Sequence, residues 1–89
     1  MLEQYDLQLE QWIGEIVAKG DDDALFASGY LQGHFAVVLA ELEAEDDHSA
    51  AALAEKMQQC LKLAAKELED HDYRLVADAW QELQQRLSA

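Results

Sequence analysis

The sequence predicts an all-α fold, an antiparallel four-helix bundle with a central, apolar second helix. Three observations carry that expectation. Four stretches place their apolar residues on one side of a helix when spaced at about 100° per residue. The 89 residues include no proline and four glycines, so little in the chain interrupts a helix. The gaps between the four stretches, near Gly20–Asp22, Glu45–His48 and Glu69–Asp72, are short, and short connections favour antiparallel neighbours. Half the residues are hydrophobic (51%), which predicts a single helical domain over residues 1–89 and argues against disorder despite the charge.

The first helix is expected over Leu2–Lys19, with Leu2, Tyr5, Leu9, Trp12, Ile13, Ile16 and Val17 on its buried face. Gly20 follows at once, where a left-handed residue often ends a helix. The second helix is expected over Asp23–Glu45, with Asp21, Asp22 and Asp23 supplying the N-cap and first-turn acids. Its apolar residues Phe26, Tyr30, Leu31, Phe35, Val37, Val38 and Leu42 cover more than half its circumference, the pattern of a central helix. The third is expected over Ser49–Leu68, with a stripe of Leu53, Met57, Cys60, Leu61, Ala64 and Leu68; Lys62 and Lys66 face away from it. The fourth is expected over Tyr73–Leu87, burying Leu75, Val76, Ala79, Trp80, Leu83 and Leu87. Glu82 and Arg86 form an i,i+4 pair on its outer side. Trp12 and Trp80 read as core anchors whose indole N–H groups need partners or an exposed edge.

The second helix carries one feature that needs a reason. Gly29 and Gly33 lie one turn apart inside it, and each costs about 1 kcal/mol relative to alanine. With Ala36, Ala40 and Ala44 they line up within about 80° of arc, a ridge with almost no side chain. Gly29, Gly33, Ala36 and Ala40 are therefore the expected contact surface for a closely approaching helix, either the first helix or a second copy of the chain. On that expectation Gly33→Leu overpacks the contact and destabilises the protein.

Charge excludes several functions. Nineteen Asp and Glu against six Lys and Arg leave a net charge of −13. Direct binding to nucleic acid rests on Lys and Arg neutralising phosphates, so it is not expected, and anionic membrane surfaces are disfavoured for the same reason. No stretch approaches the roughly 20 apolar residues of a membrane span, and the N-terminal residues lack a signal-peptide pattern. One cysteine, Cys60, allows no internal disulfide, and a cytoplasmic setting is expected. No CxxC is present, so Cys60 reads as a small, buried apolar residue at the edge of the third helix's stripe.

Neither a metal nor a cofactor is expected. Di-metal helical bundles need a Glu-x-x-His pair on each of two helices. Here His34 and His71 each have a leucine three residues earlier, and Glu45 and His48 span a loop. His34 and His48, fourteen residues apart, would sit on the order of 20 Å from each other on a continuous helix. The acids of the first and third loops, which an up-down bundle brings to one end, lack the ligand spacing and glycine of a calcium loop. His34 falls on the apolar side of the second helix between Tyr30 and Val38, with Glu41 two turns on. A buried, structural histidine is the ordinary case, and no nucleophile is visible beside it, so no catalytic residue is assigned. Tyr30, His34 and Glu41 remain the one polar grouping around which a ligand site or an active site would form.

The segment from Asp23 to His34, followed by Glu41-Leu42-Glu43 and Asp46-Asp47-His48-Ser49-Ala50, resembles the YfcL family of small bacterial proteins. The likeness covers the chain in length and order of elements and is strongest from Asp23 to Ala50. It implies a compact helical protein and no activity. It leaves the turn at Asp46–Ser49 with either a functional or a folding role; Asp47 or Ser49 capping the third helix is the physical account of the latter.

The expected function is protein–protein association by a small acidic adaptor or regulator, with another protein or a second copy as the partner. The alternatives are a helical ligand-binding protein or enzyme centred on Tyr30 and His34, and an acidic mimic of nucleic acid that occupies a basic protein.

Overall fold

The computed structural model describes residues 2–88 as four helices: α1 Leu2–Lys19, α2 Asp22–Glu43, α3 Ala50–Glu67 and α4 Asp70–Ser88. No strand occurs among the described residues. The expected boundaries hold closely, and the ends have local causes. Gly20 takes a positive φ of 71° and donates its N–H to the Ile16 carbonyl at 3.1 Å, closing α1. Asp21 caps α2 by accepting from the Asp23 N–H at 3.1 Å. Ser49 caps α3 by accepting from the Ala52 N–H at 3.2 Å, and Asp47 accepts from the Ser49 N–H at 3.0 Å. The Asp46–Ser49 turn thus has a folding role of its own.

Two ends depart from expectation. α2 stops at Glu43, where the Ala44 N–H turns back to the Glu41 and Leu42 carbonyls. α4 starts at Asp70, three residues early. Asp70 and Asp72 occupy its first turn, where carboxylates offset the exposed N–H groups of the helix start. Apolar periodicity is silent about a first turn made of Asp70, His71 and Asp72.

The helices pack in the ring order α1, α2, α3, α4, and α2 also packs against α4 across the short diagonal. α1 and α3 make no such contact among the described residues. α2 is therefore central, as expected, but α4 shares that place. One core joins all four helices through Trp12, Leu31, Phe35, Leu42, Met57, Val76, Trp80 and Leu83. The Trp12 indole donates to Glu82 Oε1 at 3.0 Å, whereas Trp80 Nε1 is buried without a partner among the described residues.

Polar ties hold the outer edges. The Tyr5 hydroxyl donates to the His48 carbonyl at 2.9 Å, pinning the α2–α3 loop onto α1. The Arg86 guanidinium forks onto both carboxylate oxygens of Glu15 at 2.7 and 2.5 Å, joining α4 to α1. The expected Glu82–Arg86 pair persists as a charge interaction, but the hydrogen bonds go elsewhere: Arg86 donates to Glu15, and Glu82 accepts from the Trp12 indole. Val17, expected on the buried face of the first helix, is 59% exposed, because the inward arc of α1 is narrower than its apolar stripe. No helix is long and apolar enough to cross a membrane among the described residues.

Candidate interaction surface

The second helix is apolar nearly all the way round because residues 24–40 contain no charged side chain. The bundle buries one side of it, through Ala27, Ser28, Leu31, Phe35, Val38 and Leu42. The other side faces out. Gly29, Gly33, Ala36, Ala40 and Ala44 are all exposed, and the larger Phe26 and Val37 beside them are 40% and 57% exposed. A Cβ added to Gly29 or Gly33 would meet nothing within 4 Å. The expectation that the first helix lies against the two glycines is therefore not met: no helix of this chain is seated on them. Ala36 and Ala40, further along the ridge, line a cleft that α1 borders.

Along one edge of this outer face runs an aromatic row. Phe26 and Tyr30 have ring centroids 6.3 Å apart, and Tyr30 and His34 are 4.9 Å apart with planes tilted by 51°. The Tyr30 hydroxyl donates to Glu67 Oε2 on α3 at 3.2 Å. Burial first, then the Glu67 carboxylate, raises the Tyr30 pKa above that of an ordinary phenol. His34 is half-buried, not mostly buried as the sequence suggested, because its position lies at the border between the inward and outward arcs of α2.

The third member of the polar grouping is drawn elsewhere. Glu41 lies 3.4 Å from Lys56 Nζ, and Glu45 approaches the same ammonium at 2.8 Å. The Glu45 hydrogen bond leads in raising the Lys56 pKa, with Glu41 adding to it. Tyr30 and His34 are thus in ring contact, while Glu41 is engaged in an ion pair with Lys56. Cys60 is half-buried on α3, not fully buried as expected; burial first, then the Glu41 charge, raises its thiol pKa and favours the protonated thiol.

The cleft between the start of α1 and the end of α2 has a volume of about 570 Å³. Leu2, Ala36, Leu39 and Ala40 supply its apolar lining, and Glu3, Asp6 and Glu43 its carboxylates. His48 completes it from the α2–α3 loop; its Nε2 is buried and has no hydrogen-bond partner among the described residues. The sequence reading missed this cleft because it joins residues from three separate segments. At the opposite end of the bundle, Asp21, Asp23, Asp78 and Glu82 line a smaller depression. No group of three or more His, Cys, Asp or Glu suited to a metal ion occurs among the described residues.

Comparison with known proteins agrees with the resemblance read from the α2 segment. The family described as YfcL protein matches residues 3–85. A protein of Escherichia coli (strain K12), named "Uncharacterized protein YfcL", is 42% identical over 90 residues, covering 99% of this chain and 98% of that protein. No solved structure matches the chain. The agreement extends through all four helices, and the chain belongs to the YfcL family.

Proposed function

We propose that this protein is an interaction module that holds a partner protein along the outer face of α2. The observation that carries the reading is the pair of glycines. Together they cost about 2 kcal/mol of helix propensity, and nothing within the chain uses the space their missing Cβ atoms leave. A helix from outside would use it, because small residues let two backbones approach and gain dispersion contacts. Phe26 and Val37 flank the ridge and would be desolvated on contact; burying their exposed parts contributes on the order of 1 kcal/mol each. The surrounding carboxylates form a polar rim that steers a complementary partner.

The test is a pair of variants, Phe26→Asp and Val37→Asp, on the outer face. Both should keep the circular dichroism spectrum of the parent and lower its thermal midpoint by no more than about 4–8 °C, while losing the proteins that the parent retains from a bacterial extract. If parent and variants retain the same proteins, the outer face of α2 is not the contact surface.

A second copy of the chain is the other reading that a specific observation favours. An antiparallel two-fold centred on Gly33 sets Phe26 against Ala40 and Val37 against Gly29, large against small at each step. Sedimentation equilibrium separates the two readings: a dimer that Val37→Asp dissociates supports the second copy, and a monomer at all concentrations removes it.

A further inference from the structure

We propose that the partner lays an amphipathic helix along the outer face of α2, apolar on one side and carrying a basic side chain near each end. The inference rests on the reading of α2 as a contact surface and names the chemistry of the segment held there. Six large hydrophobic residues are exposed among the described residues, and three of them, Leu25, Phe26 and Val37, belong to α2. α4 has none, so an apolar outer side is not general to this bundle. An extended segment would need backbone partners, and the N–H and C=O groups of α2 are already paired along its own axis. A helical segment satisfies its own and can offer an apolar stripe.

Charge brackets this face. Residues 24–40 carry no charged side chain, and an exposed carboxylate stands at each end, Asp22 before and Glu43 after. At about 100° per residue Asp22 falls in line with Ala40, and Glu43 lies about 60° from that line, so both border the ridge. Asp22 alone is an ordinary first-turn acid. Glu43 is not ordinary: it is the last residue of α2, where the helix dipole disfavours a carboxylate, and no basic residue occupies that last turn. Lys56 holds Glu41 and Glu45 on the α3 side, whereas Glu43 has no ion pair among the described residues. A basic group from outside would offset that charge. Asp22 and Glu43 stand about 31 Å apart along the axis at 1.5 Å per residue. Lys and Arg stems reach outward, so basic residues about 14–18 positions apart on the segment meet both carboxylates. A second copy fits this pattern poorly. The two-fold centred on Gly33 sets Asp23 of one copy opposite Glu43 of the other, like charge against like.

The experiment is an NMR titration of the full ¹⁵N-labelled chain with helical peptides of about 18 residues that share one leucine face. They differ in charge alone: a lysine pair at each end, the same lysines gathered mid-helix, a glutamate pair at each end, or glutamine in place of every charge. The end-lysine peptide should give saturable shifts at Gly29, Gly33 and Val37 and bind at least fivefold more tightly than the mid-lysine peptide of equal charge. Its affinity should fall at least fivefold in Asp22→Asn/Glu43→Gln and hold in Glu55→Gln/Asp78→Asn, which removes the same charge elsewhere. Circular dichroism checks that both variants keep their helices. Equal affinity for the two lysine peptides, preference for glutamate or glutamine ends, unchanged affinity in Asp22→Asn/Glu43→Gln, or no saturable shift along α2 would each overturn the proposal. A dimer in sedimentation equilibrium that Val37→Asp dissociates would also overturn it, by assigning the face to a second copy. If the peptides fail while Val37→Asp still releases the partner, the contact-surface reading stands without this segment. A partner indifferent to both Phe26→Asp and Val37→Asp removes both.

Discussion

Ala27, Leu31, Phe35, Val38 and Leu42 look inward from α2, while Phe26, Gly29, Gly33, Val37 and Ala40 look outward from the same helix. Neither set contains a charge. The inner set is nearly inaccessible, with Phe35 and Leu42 at 0% exposure, and is packed by three other helices. The outer set has only the cleft beside α1 and open space above the glycines. Two faces of similar hydrophobicity therefore have different physical meanings. Large inner residues stabilise the monomer by burial, whereas the small outer residues contribute little burial to it, and Gly29 and Gly33 lower its helix propensity. On the proposed reading, contacts made by a partner offset what the two glycines cost the monomer.

The largest expected effect separates the two faces directly. Phe35→Ala should destabilise by about 3–5 kcal/mol, the range for deleting a buried aromatic ring, and Phe26→Ala by under about 1 kcal/mol, since its ring is partly solvated and loses one tilted aromatic neighbour. Urea denaturation of both variants measures the contrast. Equal losses would mean that the outer face is covered in solution.

Glycine replacement on the outer face should run in the opposite direction. Gly29→Ala/Gly33→Ala should stabilise the monomer by up to about 2 kcal/mol, because the new methyl groups meet open space and alanine is the better helix former. Gly33→Leu should likewise be no less stable than the parent, which reverses the overpacking expected from sequence. The same Gly33→Leu should weaken partner retention. A destabilised Gly33→Leu, with a lowered urea midpoint, would show that the ridge is packed after all.

His34 at the border between the faces should show an intermediate effect. His34→Ala loses the ring contact with Tyr30 and should cost about 0.5–1.5 kcal/mol, with the urea midpoint as the measurement. A larger loss would place His34 energetically with the inner face.

The smallest effects concern pH. The Arg86 hydrogen bonds hold the Glu15 carboxyl below its ordinary pKa, and the Ser49 hydrogen bonds do the same for Asp47. A depressed folded pKa gives stability that is complete above the unfolded value of about 4 and fades as pH falls through the folded value. Lys56 behaves in the opposite sense: its pKa is raised, so its contribution is complete below about 10.4 and fades as pH rises through the folded value. Glu15 and Asp47 are exposed, so a thermal melt from pH 6 to pH 3 should show a small decline; Lys56, half-buried, takes no part in that range. Arg86→Lys should reduce the part due to Glu15. The residues 24–40 carry no carboxylate, so self-association through the outer face, if measured, should keep its apolar component across that range. Salt should act on the rim instead, slowing association with a basic partner as ionic strength rises to physiological values.

Much of this protein was legible from its residues alone. The 100° periodicity, the absence of proline, the left-handed Gly20 and the capping residues Asp21 and Ser49 determine four helices and nearly all their ends, because each acts within one or two turns of chain. The α2 segment carried the family resemblance, and the charge excluded nucleic acid and membrane as expected partners. What periodicity could not decide was which side of an all-apolar helix faces in. Phe26 and Phe35 are equivalent by composition, and so are Val37 and Val38; the positions of α1, α3 and α4 expose one of each pair and bury the other. The same limit holds for polar groups. Arg86 reaches Glu15 across the bundle instead of Glu82 one turn away, Glu41 turns to Lys56 instead of His34, and His48 joins Leu2, Asp6 and Glu43 around one cleft. Those partners are distant in sequence, so only the packing of the helices brings them within reach.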